Sequence, residues 1–281
     1  MATETPILPM TTTPTAPSAS MAPERNEDFP YPPTDLIDSD GEPLESHWHV
    51  DEINLLCDVV SCRYQNRDDY YVGGNMFIYF NREQARNLDY RGPDFFFVNG
   101  GVSRTPMRPY WAIWDEKGRT PDVIIELMSK TTKKADLTTK KDIYERTLKT
   151  HEYFCYDPDT RELFGWRLNG IYKTIDPNER GWLWSKELGL WLGVWQGEYL
   201  GYNLPWLRFF DADGTPVSTF SEAAQQHADA MRQRADAMQQ HADAMQQRAD
   251  AMQQRAEAEK QRADALAAEL AQLKAQFPPK Q

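Results

Sequence analysis

From His227 to Ala268 the chain repeats a seven-residue unit, HADAMRQ, RADAMQQ, HADAMQQ, RADAMQQ, RAEAEKQ, RADALAA, and then continues as ELAQLKAQF. Seven residues nearly close two helical turns, so this period lines the same residue types along one seam of an α-helix, as a left-handed coiled coil requires. With position a at Ala228, Ala235, Ala242, Ala249, Ala256, Ala263 and Leu270, position d falls on Met231, Met238, Met245, Met252, Glu259, Leu266 and Leu273. Ala and Met are strong helix formers, so 221–276 is predicted to be one long helix. Its association is less determined. Alanine permits close approach but buries little area, methionine specifies geometry poorly, and Glu259 interrupts the seam. A self-associating coiled coil, and hence a homo-oligomer, stands beside a single extended helix. His227, Arg234, His241 and Arg248 recur about two turns apart, too far to share a metal, and read as a solvated flank.

The repeat confines any globular core to what precedes it. Residues 1–33 are rich in Pro, Thr and Ser without periodicity and cannot bury enough surface to offset their ordering entropy, so a disordered tail is expected there. A short tail at 277–281 closes the chain. The start has no basic segment followed by an apolar one, so it does not read as a secretory leader. No apolar run approaches the roughly 18 residues of a membrane span. Three cysteines, Cys57, Cys62 and Cys155, with no Cys-x-x-Cys, argue against a disulfide framework or a thiolate zinc site and for a cytoplasmic protein.

The net charge of −12 is concentrated at the start: ten carboxylates against Arg25 between Met1 and Asp51 account for −9 of it, leaving −3 for the rest. Net charge therefore does not exclude a nucleic-acid partner.

Residues 34–220 read as the folded domain. Apolar residues at helical spacing (Val50, Ile53, Leu56, Val59, Val60) predict an amphipathic helix over 49–64. β-type segments follow at 70–80, broken by Gly73-Gly74, at 94–98 and at 123–128; then a helix over 135–148; then strands at 153–156, 162–168 and 171–175, the last two joined by the hairpin signal Asn169-Gly170. This order indicates an α/β fold with helices packed on a mixed sheet. Trp182, Trp184, Trp191 and Trp195 are expected to cover one edge or face of that sheet.

No nucleotide loop, Gly-x-Ser-x-Gly elbow or His-Glu-x-x-His helix is present. What stands out is Glu126, an ionisable group inside the apolar run Val123-Ile-Ile-Glu-Leu-Met128. A carboxylate there is expensive unless it is paired or metal-bound. Asp122 shares its face but lies about 13 Å away along the strand, so the two cannot share an ion. Asp94, which opens the strand Phe95-Phe-Phe-Val98, can lie beside Glu126 if the two strands are neighbours, about 4.8 Å apart. That pair suits Mg²⁺, with Mn²⁺ as the alternative. The helix that follows carries Asp136, Lys140 and Tyr144 on one face at i, i+4 and i+8. Lys140 is placed toward the sheet margin where Glu126 lies, and Lys141 is the rival cation.

Tyr71-Val-Gly-Gly-Asn-Met-Phe-Ile-Tyr79, Gly92-Pro-Asp94-Phe-Phe-Phe-Val98, Pro121-Asp-Val-Ile-Ile-Glu126-Leu-Met-Ser129, Asp136-x-x-x-Lys140-x-x-x-Tyr144 and Glu152-Tyr-Phe-Cys-Tyr-Asp157-Pro158 together resemble the bacterial family of putative restriction endonucleases, first catalogued as a domain of unknown function, whose fold is similar to the PD-(D/E)xK nucleases. The resemblance runs from about Gly41 to Gly214. It implies a restriction-endonuclease-like core and a phosphodiesterase site acting on DNA. Asp94, Glu126 and the Leu127 carbonyl would hold Mg²⁺, and Lys140 would orient or activate the water and stabilise charge on the phosphate. The nuclease signature puts its lysine two residues after the Glu. Met128 stands there in this chain, so the resemblance implies that Lys140 on the following helix takes over. Glu42 or Glu45 is a further carboxylate that could assist. Two readings result: a Mg²⁺-dependent endonuclease hydrolysing DNA, or a catalytically degenerate nuclease fold serving as a coiled-coil interaction module.

Overall fold

The computed structural model describes residues 46–81 and 91–276; the expected tails at 1–33 and 277–281, and Glu42 and Glu45, lie outside the described residues. Helix α1 (His47–Arg63) starts where Ser46, in extended conformation, caps it through a bond from His49 N to Ser46 Oγ of 3.3 Å. Its residues Ile53, Leu56, Val59 and Val60 are buried. A six-stranded mixed sheet follows, built from β1 (Tyr70–Gly74), β3 (Phe95–Asn99), β5 (Val123–Leu127), β6 (Glu152–Asp157), β7 (Glu162–Asn169) and β8 (Ile171–Thr174), side by side in that order. Only β5 and β6 run parallel, and the helix between them, α2 (133–148), makes that crossover. It includes two π-type turns, Asp136–Lys140 and Tyr144–Leu148. The short strands β2 (Ile78–Tyr79) and β4 (Trp111–Ala112) pair parallel to each other apart from the main sheet.

Alternation along the central strands sends residues to two cores. Phe95, Phe97, Val123, Ile125 and Leu127 join α1 on one face, whereas Phe96, Val98, Ile124 and Met128 join Tyr144 and Leu148 of α2 on the other. Both faces are covered, which is why Val123–Leu127 is buried at every position rather than at alternate ones.

The tryptophan-rich stretch departs from expectation in part. It forms a second, three-stranded antiparallel sheet, β9 (Leu183–Ser185), β10 (Leu190–Tyr199) and β11 (Tyr202–Phe210). The period of two explains the difference. Leu183, Leu190, Leu192, Leu207 and Phe209 point into the α1 core, while Trp184 and Trp191 are only half-buried and meet edge to face at 5.0 Å on the other side. Of the four tryptophans, Trp195 packs against that core; the leucines and Trp206 supply most of the cover.

Helix α3 (Phe220–Gln276) opens on a capping box: Glu222 N donates to Thr219 Oγ1 at 3.1 Å and Thr219 N to Glu222 Oε2 at 2.8 Å. Buried Arg208 of β11 also bonds Glu222 and lies 4.4 Å from the Trp195 ring, tying the helix start to the second sheet. Beyond its first turns α3 stands clear of the domain. Met231, Met238, Met245, Met252, Leu266, Leu270 and Leu273 are 51–74% exposed.

Candidate active site

β3 and β5 are antiparallel neighbours with Phe95 opposite Ile125 and Phe96 opposite Ile124, so the next pair along is Asp94 opposite Glu126. Both point to the α2 face, with Phe96 and Ile124. Asp94 Oδ2 accepts the Leu127 N–H at 2.7 Å, which fixes its carboxylate across the strand pair. Glu126, 2% exposed, accepts the Tyr144 hydroxyl at Oε1 (2.7 Å) and the Lys140 ammonium at Oε2 (3.0 Å). Lys140 Nζ is also 2.8 Å from Asp136 Oδ1. The i, i+4, i+8 face of α2 thus delivers three side chains to one buried glutamate. Lys141 lies elsewhere, its ammonium 4.2 Å from the Trp166 ring. Of the two candidate lysines, Lys140 is the one at the carboxylates.

Three carboxylates (Asp94, Glu126, Asp136) converge on one ammonium, two negative charges in excess if all are ionised. The electrostatics reflect this. Burial pushes Glu126 well above the ordinary carboxylate range; Lys140 opposes that, and Asp94 and Asp136 add to it. Asp94 is also raised by burial, against the Leu127 N–H and Lys140. Lys140 loses hydration, yet Glu126 and Asp136 outweigh the loss and hold it above the usual lysine range. Asp136 is 1% exposed, and its Oδ2 has no hydrogen-bond partner. A buried acidic oxygen without a donor, within an excess of negative charge, fits a divalent cation bound among hard oxygens.

His49, expected from the sequence only as the first residue of a helix, also reaches this region. His49 Nε2 lies 3.1 Å from the Leu127 carbonyl oxygen, and Nδ1 lies 3.0 Å from Ser46 Oγ. A carbonyl only accepts, so the contact requires the proton on Nε2 and leaves Nδ1 to accept from the Ser46 hydroxyl. The helix cap and the end of β5 are joined through this ring. The only sequence signal was a Ser three residues before a His at a helix start. Past the C-terminal end of β5 lies an open cleft of about 760 Å³ whose lining includes Ser46, His49, Ser129 and Lys130. Met128 also lines it, and Glu126 does not.

The family described as Uma2, putative restriction endonuclease, matches residues 23–201, well over half of the chain. Among solved structures, the chain is similar to the crystal structure of a putative nuclease belonging to DUF820 from Anabaena variabilis, with 13% identity over 52% of this chain and 76% of that one and a TM-score of 0.38. No curated protein matches it. By the extent of the first match, this chain belongs to the Uma2 family of putative restriction endonucleases.

Proposed function

We propose that the protein is a Mg²⁺-dependent endonuclease that hydrolyses DNA phosphodiester bonds at the Asp94–Glu126–Lys140 site, with Mn²⁺ able to replace Mg²⁺. The observation that carries this reading is the uncompensated charge: three converging carboxylates with one ammonium, and a buried Asp136 oxygen left without a donor. Family membership supports a nuclease and DNA as its substrate. Asp94, Glu126 and the Leu127 carbonyl are the groups that would hold the ion. When bound, such an ion polarises a phosphoryl oxygen and acidifies water.

The protein's own groups have distinct tasks. The Tyr144 hydroxyl fixes Glu126 Oε1 and leaves Oε2 facing Lys140. Lys140 donates to Glu126 Oε2 and pairs with Asp136, and an ammonium with three N–H donors can offer another to a water or a phosphate oxygen. Its raised pKa keeps the ammonium protonated. Lys140 therefore orients the water and stabilises developing negative charge rather than removing a proton. His49 holds the Leu127 carbonyl in direction through Nε2.

The exposed Met and Leu seam of α3 favours a homo-oligomer through that helix. From 227 to 262 position g carries His227, Arg234, His241, Arg248, Arg255 and Arg262, and from 232 to 260 position e carries Arg232, Gln239, Gln246, Gln253 and Lys260. A parallel pair sets Arg234, His241 and Arg248 against Gln, with like charges meeting at Arg255 and Lys260; an antiparallel pair sets the His and Arg of position g against one another. We therefore favour the parallel arrangement, which brings two catalytic domains to one end. The three cysteines are free, in keeping with the cytoplasm. Among the described residues no helix is long and apolar enough to cross a membrane.

The test is nicking of supercoiled plasmid in Mg²⁺. Glu126→Gln and Lys140→Met are each expected to reduce the rate by about 10²–10³-fold. Nicking by Glu126→Gln equal to wild type would remove the assignment and leave the fold as a platform for α3.

A further inference from the structure

A second set of metal-type ligands gathers at the opposite end of β5. Asp122 precedes that strand, His151 precedes β6, and Glu187 lies in the turn between β9 and β10. His151 Nδ1 is 3.0 Å from Glu187 Oε1 and 3.3 Å from Asp122 Oδ1. One ligand atom from each residue lies within 4.8 Å of the other two. We propose that these three residues form a Zn²⁺ site that clamps the six-stranded sheet to the second sheet.

The donor set is one imidazole and two carboxylates, a combination suited to Zn²⁺ with water in the fourth position. Spacing agrees with that chemistry. Tetrahedral ligands at 2.0–2.2 Å from zinc stand about 3.3–3.6 Å apart, and the two imidazole–carboxylate separations are already close to that edge length.

The Asp122 carboxylate and the Glu187 backbone are also held from behind. Asp122 is buried, and its Oδ2 accepts from Asn99 N (2.6 Å) and Arg119 Nη2 (2.8 Å), which leaves Oδ1 toward His151. The Asn99 side chain in turn donates to the Glu187 carbonyl at 3.2 Å. The Glu187 N–H lies 3.4 Å from Glu152 Oε2, which also accepts the Ser185 hydroxyl at 2.5 Å. Outer contacts of this kind fix ligands in place before the ion arrives. His151 is half-exposed, so ion and water can enter. Asp122 and Glu126 are about 13 Å apart along β5, so this ion is separate from the one proposed at Glu126. It joins the start of β5, the approach to β6 and the β9–β10 turn, segments from both sheets.

The experiment uses full-length Glu126→Gln protein, in which the candidate active site is disabled, stripped of metal and titrated with Zn²⁺. One equivalent per chain is expected, with a rise in the melting midpoint. Co²⁺ in its place is expected to give the visible absorption of a four-coordinate site. Adding His151→Gln or Glu187→Gln is expected to abolish the bound equivalent, the absorption and the midpoint rise, while metal-free melting stays cooperative. Failure of Glu126→Gln protein to bind an equivalent, or an equivalent retained by both double variants, overturns the proposal.

Discussion

Replacing Glu126 by Gln is expected to stabilise the metal-free protein while abolishing its activity. Glu126 is almost wholly buried, and burial, Asp94 and Asp136 push its folded-state pKa above the unfolded value of 4.5. A raised folded pKa means that the stability contributed is present below the unfolded value and is lost as pH rises through the folded one. Metal-free wild type is therefore expected to lose stability from about pH 5 to pH 8. Each tenfold difference in proton affinity between folded and unfolded chain is worth about 1.4 kcal/mol. Gln keeps an acceptor for Tyr144 and halves the excess negative charge, but it weakens the hold on Lys140, so a net gain of about 1–3 kcal/mol at pH 8 is expected. For a chain of this size that is roughly a 2–10 °C rise in melting midpoint. Calorimetry in EDTA at pH 5 and pH 8 measures it: the variant should exceed wild type at pH 8, with the gap narrowing at pH 5. Added Mg²⁺ should raise the wild-type midpoint and leave the variant's unchanged. A variant melting at or below wild type at pH 8, or an undiminished Mg²⁺ response, would show that Glu126 is not the strained carboxylate of the site.

Lys140→Met leaves Glu126, Asp136 and Asp94 without their cation, and a loss of about 3–5 kcal/mol is expected in EDTA, partly recovered by Mg²⁺; urea melts with and without the ion decide this. Gly193→Ala drives a Cβ into the Trp182 ring, so an overpacking cost of about 1–3 kcal/mol and an altered near-UV tryptophan signal are expected. Thr219→Ala removes the cap of α3 and is expected to cost about 1 kcal/mol by thermal melt. Deleting 224–281 should convert the protein to a monomer in sedimentation equilibrium, and an unchanged mass would exclude α3 as the oligomerisation element.

The strands and helices that build the site were legible because their patterns are strong. Val123–Leu127 is bounded and β-rich, and the period-seven repeat of strong helix formers specifies a helix. The Asp94–Glu126 juxtaposition was legible only as a condition, that β3 and β5 be neighbours, since pairing across 30 residues leaves no local trace. Spacing put Asp136, Lys140 and Tyr144 on one face, but the choice between Lys140 and Lys141 required the helix rotation that Trp166 helps to fix by taking Lys141. The second sheet was missed because Leu190-Trp-Leu-Gly-Val-Trp195 is apolar on both faces and hides its alternation under aromatic weight. The contact of His49 with Leu127 and the Asp122–His151–Glu187 set escaped because the residues that meet lie 29 or more positions apart in sequence.

Catalysis as proposed requires Asp94 and Glu126 to grip one divalent cation beside Lys140. A crystal soaked in Mn²⁺ and measured at a wavelength where manganese scatters anomalously shows whether they do. A single anomalous peak is expected there, in contact with a carboxylate oxygen of each residue and with the Leu127 carbonyl. Full occupancy of Mn²⁺ elsewhere with none between Asp94 and Glu126 would rule the metal site out.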